Sequence, residues 1–235
     1  MLSKKLPESN EERLNILHAI LDQEEINEAS DRVLSIVEFQ ELRMFTNTFE
    51  ATDSIYNQAV IDSEKAKILY SDLFKNAQLY VSHFIQVLFL TVIRNEIKAE
   101  NLALYGLQEN DPVLPDLSTK EAVLEWGENI MKGEAERTCR GGMPLYNPAI
   151  AKVKVHFELF SECIYSLSIY EKNLLRLQEK MYDINAEADE LIGKIWTKVE
   201  EQFSAYSPDE QTLKLKDYKI QYQYRKGDQL NVFDI

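Results

Sequence analysis

Between Glu8 and Tyr105 the chain contains neither glycine nor proline, and between Ala149 and Tyr206 it contains only Gly193. These residues are the main helix breakers, so the two stretches predict long helices. Apolar and small side chains recur through both at spacings of three and four. One series runs Leu42, Phe45, Phe49, Thr52, Tyr56, Ala59, Ser63, Ala66, Tyr70; the other runs Phe160, Cys163, Leu167, Tyr170, Leu174, Leu177, Met181, Ile184. A mean spacing of about 3.5 residues keeps one seam turned toward a neighbour and predicts nearly antiparallel bundle packing.

The chain also repeats itself. Leu6-Pro7-Glu8-Ser9 is echoed by Leu114-Pro115-Asp116-Leu117-Ser118, Ile55-Tyr56 by Ile169-Tyr170, and Tyr105-Gly106-Leu107 by Tyr218-Lys219-Ile220, at an offset drifting from 108 to 114. Each copy is predicted to hold three helices. The first helices, over about 10–25 and 119–136, start at the capping boxes Ser9-x-x-Glu12 and Ser118-x-x-Glu121. The second, over about 31–69 and 149–182, carry the seams. Breaks at Ser71-Asp72 and Asp183-Ile184-Asn185, where polar side chains can cap a new helix, lead into third helices over about 73–97 and 186–205. Ser207-Pro208-Asp209-Glu210 then opens a short helix. Beyond it, Tyr218, Ile220, Tyr222 and Tyr224 alternate with polar residues in a strand pattern, with Lys226-Gly227-Asp228 as a turn toward Leu230–Phe233. The fold expected is all-α: an antiparallel helical bundle of two tandem three-helix repeats, about 6–107 and 114–220, with a short C-terminal β-hairpin or strand in the tail 221–235. The whole forms one domain, 1–235, with a shared core.

With 45% hydrophobic residues the chain can bury a sizeable core. Its 40 acidic and 26 basic residues give a net charge of −14. Nucleic acid and anionic membrane surfaces normally require a basic face, so both are unexpected partners. The most apolar run, Leu79–Ile93, is broken by Ser82, His83 and Gln86 and is short for a membrane span. No apolar leader follows Met1, and the two cysteines lack CxxC spacing, which together point to a cytoplasmic setting.

Several segments carry a resemblance. Tyr105-Gly106-Leu107, Leu114–Ser118, Trp126-Gly127-Glu128-Asn129-Ile130, Lys132-Gly133-Glu134, Tyr146-Asn147-Pro148 and Ala188-Asp189-Glu190-Leu191-Ile192 resemble an uncharacterised family of bacterial all-helical proteins. The similarity spans residues 8 to 228 and implies a helical fold. It implies no activity and transfers no catalytic residue.

Chemistry-bearing patterns are few. A carboxylate-bridged di-metal site needs Glu three residues before a histidine; Asn15, Tyr80 and Val153 precede His18, His83 and His156 instead. No cofactor or metal is therefore expected. His83, within an apolar stretch, reads as a core or boundary histidine. Cys163 on the seam reads as a buried, inert thiol, and Cys139, beside Arg137 and Arg140, as the more exposed and reactive one. The most irregular segment is 137–148, where Arg137, Arg140, Gly141-Gly142, Tyr146 and Asn147 could bind an anion; its plainer reading is a connector stiffened by Pro144 and Pro148. At an offset of 112, apolar Leu88, Phe89 and Leu90 align with Glu200, Glu201 and Gln202. That asymmetry suggests either intrachain cover, for instance by the tail, or a homo-oligomeric contact. The function expected is that of a non-enzymatic interaction or scaffold module, with an anion or small-molecule binder, or an enzyme, at 137–148 as the alternative.

Overall fold

The structure, a computed structural model, describes residues 2–28, 30–109 and 113–224. Its elements are β1 (Leu2–Lys4), α1 (Asn10–Ile26), α2 (Ile36–Ile93), a 3-10 helix (Ala99–Tyr105), α3 (Lys120–Cys139), α4 (Ile150–Gln202), α5 (Pro208–Asp217) and β2 (Tyr222–Tyr224). The fold is all-α.

Both long helices are unbroken, α2 over 58 residues and α4 over 53. The breaks expected at Ser71-Asp72 and Asp183–Asn185 do not occur. Asp72 and Asp183 are exposed, while Tyr70, Leu73, Phe74 and Ala77 continue the buried seam of α2 and Met181, Ile184 and Ala188 that of α4. A polar residue favours a cap only when the backbone before it has somewhere else to go. Here continued burial holds it in helix.

Helix starts follow side-chain chemistry closely. Ser9 accepts from the Glu12 N–H, but Glu12 returns to the Glu8 N–H at 2.7 Å instead of closing the box on Ser9. For α3 the cap is Thr119, not Ser118; Ser118 is engaged by Asp116. Ser207 forms the full capping box with Glu210. The start of α2 lies at residue 36 and not 31, because Ser35 and Glu38 form a reciprocal box: Glu38 N–H to Ser35 Oγ at 3.3 Å, Ser35 N–H to Glu38 Oε2 at 3.0 Å.

Glu38 also pairs with Lys198. The Lys198 ammonium first, then the Ser35 N–H and hydroxyl, hold its pKa down to about 2. A carboxylate depressed in the folded state stabilises above its unfolded value of about 4.5 and loses that contribution as pH falls toward 2. Both partners are some 40% exposed, so the pair is worth less than about 1 kcal/mol. The difference in urea midpoint between wild type and Glu38→Gln should accordingly shrink between those pH values. A constant difference would contradict the assignment.

The chain divides into two compact units: residues 1–59 with 174–235, and Val60–Asn173. These boundaries fall inside α2 and α4. Each unit has its own buried clusters. In unit 1, Leu17, Ile20, Leu42, Ile192, Trp196 and Phe203 pack together, with Phe49, Met181 and Ala188 alongside. Bidentate bonds of 2.7–2.8 Å from Arg13 to Asp189 brace it. The tail strand β2 pairs with β1, antiparallel, in the register Leu2↔Tyr224 and Lys4↔Tyr222. The turn at 226–228 and the segment 230–233 lie outside the described residues.

In unit 2, Val81, Phe84, Ile85, Leu88, Tyr105 and Val123 form the centre of one core with Ile130, Val153 and Phe160. Phe160 meets Tyr70 and Phe74 at ring separations of 5.6 and 5.5 Å, and His156 stacks on Tyr80 at 4.0 Å. His83 is exposed, not a core or boundary residue, because it falls between the inward positions 81, 84 and 85. Cys163 is buried, and burial raises its pKa, as an inert thiol requires; Cys139 is exposed.

Candidate functional site

Unit 2 contains a buried ionic knot. Glu134 and Arg137 lie one turn apart on α3 and are only 1% and 5% exposed. Arg137 Nη2 donates to both Glu134 oxygens at 2.8–2.9 Å, and its Nε donates to Tyr105 Oη at 2.8 Å. Tyr105 Oη donates to Glu134 Oε2 at 2.5 Å. Burial, reinforced by the Glu134 carboxylate, pushes the Tyr105 phenol above its ordinary range. Burial opposes the Arg137 charge, and the bonds to Glu134 and Tyr105 outweigh it, so the guanidinium pKa is raised.

The knot shapes the loop after α3. Arg137 donates to the Met143 carbonyl at 2.7 Å, and the Leu145 N–H donates to Glu134 Oε1 at 3.0 Å. Tyr105 is delivered by Gly106, whose φ of +75° ends the 3-10 helix with N–H bonds back to Ala103 and Leu102. Above the ring lies Gly133. A Cβ there would sit 2.6 Å from Tyr105 Cδ1 and 2.8 Å from the Leu104 carbonyl oxygen. Because one of those neighbours is backbone, Gly133→Ala should cost roughly 1–3 kcal/mol. Urea denaturation checks this, and an unchanged midpoint would show that Tyr105 can move aside freely.

Unit 1 repeats the arrangement with neutral partners. Glu24, 3% exposed, accepts from Tyr218 Oη at 2.7 Å and from the Val33 and Leu34 N–H groups at 3.1 and 3.0 Å. Asn27, three residues on as Arg137 is from Glu134, donates to Tyr218 Oη at 3.0 Å. Lys219 adopts φ +58° where the other unit has Gly106. Sequence inspection paired Tyr105 with Tyr218 but missed both glutamates, although Glu134-x-x-Arg137 on one helix face beside Ile130 was a readable signal.

Beside the knot runs a groove of about 870 Å³. One wall is the end of α2 and the turn after it, with Val87, Leu90, Thr91, Arg94 and Lys98. The other is the 140–147 segment, with Arg140, Met143, Tyr146 and Asn147. All four residues proposed from sequence, Arg137, Arg140, Tyr146 and Asn147, line it. Arg137 is largely consumed by Glu134, Tyr105 and the Met143 carbonyl, so its chief role is to hold the loop. Arg140 is exposed and paired with Glu136. Arg94 and Lys98, not singled out from sequence, are exposed and have no carboxylate partner among the described residues. Unit 1 has a smaller cleft of about 530 Å³, where Lys5 and Lys219 are balanced by Glu12 and Asp22 and where His18 bonds Glu50 at 2.7 Å.

The expected interface residues fare differently. Leu88 and Phe89 are 0% and 8% exposed, buried in the unit 2 core, and only Leu90 is open to solvent. Their cover is intrachain, but it includes Leu102 and Tyr105, not the Tyr-rich tail. The asymmetry arose from an offset of 112. At 111, buried Ala77, Val81, Ile85 and Leu88 fall on buried Ala188, Ile192, Trp196 and Val199.

Comparison with known proteins finds no matching family, curated protein or solved structure. The resemblance to bacterial helical proteins therefore rests on the quoted motifs alone.

Proposed function

We propose that this is a non-catalytic binding protein whose unit 2 groove holds a ligand bearing an anionic group. The observation that carries this reading is the charge of the groove. Among the described residues, Arg94, Lys98, Arg137 and Arg140 line it against Glu96 alone, in a chain of net charge −14. Arg137 and Arg140 are neutralised by Glu134 and Glu136, which leaves Arg94 and Lys98 as the cations free to meet a ligand. Among its lining residues the groove has no His, Cys or Ser, so its side chains suit recognition better than proton or acyl transfer. With Leu88 and Phe89 inside the core, only Leu90 of that apolar trio is open to a protein partner, which favours the groove over an interaction module.

A soluble setting belongs to the same proposal. Among the described residues α2 is long and apolar enough in one stretch to cross a bilayer, but 39% of that stretch is buried in the protein. Val81, Phe84, Ile85 and Leu88 are apolar because they build the unit 2 core. The matched Tyr–Glu pairs and the 111-residue burial offset support an internal duplication. On that reading each unit combines the first part of one copy with the last part of the other.

The test is calorimetric titration of the full chain with citrate at low ionic strength. Binding is expected, and Arg94→Ala/Lys98→Ala should weaken it about tenfold, the scale of charge-assisted bonds at an open site. No binding, or equal affinity in the variant, would refute the assignment.

A further inference from the structure

The groove changes character along its length, and that gradient narrows the ligand class; the inference rests on the anion-binding reading above. Val87, Leu90, Thr91 and Arg94 follow one another at spacings of three, one and three, so they share a single face of the last turns of α2 and the residue beyond. The apolar positions come first and the cation last, about 10 Å apart at a rise of ~1.5 Å per residue. After Ile93 the chain folds back. Asn95 takes φ +59°, and the Glu96 and Ile97 N–H groups both bond the Thr91 carbonyl, at 3.0 and 3.3 Å. That turn brings Lys98 to the groove near Arg94. The 140–147 segment adds Met143 and Tyr146 to the lining, 74% and 80% exposed, and Leu90 itself is 48% exposed. Leaving apolar area of this kind open on a concave surface is unfavourable unless something covers it.

We infer that the occupant is a single amphiphilic organic anion, with its charged head at Arg94 and Lys98 and its apolar body between Leu90 and the Met143–Tyr146 wall. Glu96 is the one acidic group lining the groove. The occupant is a free molecule rather than a bilayer lipid, because a chain of net charge −14 is repelled by an anionic membrane surface.

A chain-length series tests this. The full chain is titrated with acetate, butanoate, hexanoate and octanoate, the last kept below its micelle concentration, with citrate as the compact anion and octyl glucoside as the uncharged amphiphile. Affinity should rise roughly two- to fourfold for each added methylene that becomes buried. Leu90→Ser, at a half-exposed position that spares the core, should flatten the series without changing the citrate affinity. Arg94→Ala/Lys98→Ala should weaken every anion by a similar factor. Equal binding of all anions whatever their length would overturn the inference while leaving the anion site standing; no binding of any anion would remove both. Octyl glucoside binding as tightly as octanoate, or binding to phosphatidylglycerol vesicles without binding to octanoate, would also overturn it.

Discussion

A fragment of residues 60–173 is expected to fold on its own as a cooperative helical monomer, whereas residues 1–109, which span the first of the two proposed repeats, are not. Unit 2 is continuous in sequence, and every residue of its core, from Tyr70 to Ile164, lies inside those limits. Unit 1 draws on both ends of the chain. In a 1–109 fragment, Leu17, Ile20 and Leu42 would lose Ile192, Trp196 and Phe203, while Phe84 and Leu88 would lose Val123, Ile130 and Phe160. Each lost large side chain forfeits about 1.5–3 kcal/mol of burial, and net stability is only about 5–15 kcal/mol, so neither half-core can persist. Circular dichroism, urea titration and amide dispersion of 60–173 check the first half of the statement. For the second, 1–109 and 113–235 should each be largely unfolded alone and regain cooperative unfolding when mixed in equal amounts. A stable monomeric 1–109 fragment would refute this interlaced organisation.

The seams were readable because burial on a helix imposes a period. All nine positions from Leu42 to Tyr70 are buried or half-buried, and of those from Phe160 to Ile184 only Tyr170 is exposed. Capping chemistry was readable at Ser9 and Ser207, where a local side chain meets a local N–H. What failed was the inference of breaks from Ser, Asp and Asn alone, since their preference for caps is small beside the apolar side chains buried on either side. Unit boundaries were invisible for a related reason: nothing local marks residue 59 or 173, which lie within unbroken helix.

The site was legible in part. Of the 137–148 segment, Arg137 at the end of α3 and residues 140–147 line a groove, because a glycine pair and two prolines keep the part after Cys139 out of a helix. Arg137 lines the groove, but much of its bonding goes to Glu134, the Met143 carbonyl and Tyr105, and the last of these lies 32 residues away and gave no local signal. Arg94 and Lys98 gave no signal, as an exposed cation after a helix end is ordinary until the fold supplies the opposite wall.

Glu134→Gln is expected to destabilise unit 2 far more than Glu24→Gln destabilises unit 1. The two carboxylates are almost equally buried and each is bonded to a tyrosine hydroxyl. The difference is the cation. Removing the Glu134 charge leaves Arg137, 5% exposed, as a buried cation whose remaining acceptors, the Gln amide oxygen, Tyr105 and the Met143 carbonyl, are all neutral, a loss of about 3–5 kcal/mol. Removing the Glu24 charge strands no ion; the amide oxygen of Gln can still accept from Val33 or Leu34, so about 1–2 kcal/mol is expected. Adding Arg137→Met to Glu134→Gln should recover much of the larger loss, because the uncompensated charge goes with it. The chain's two tryptophans allow each unit to be followed separately: Trp126 lies in unit 2 and Trp196 in unit 1. Urea unfolding of Trp126→Phe and Trp196→Phe backgrounds therefore reports the units one at a time. Equal losses for the two glutamates, or no recovery in the double variant, would mean that Glu134 and Arg137 act as neutral packing and not as a charge pair.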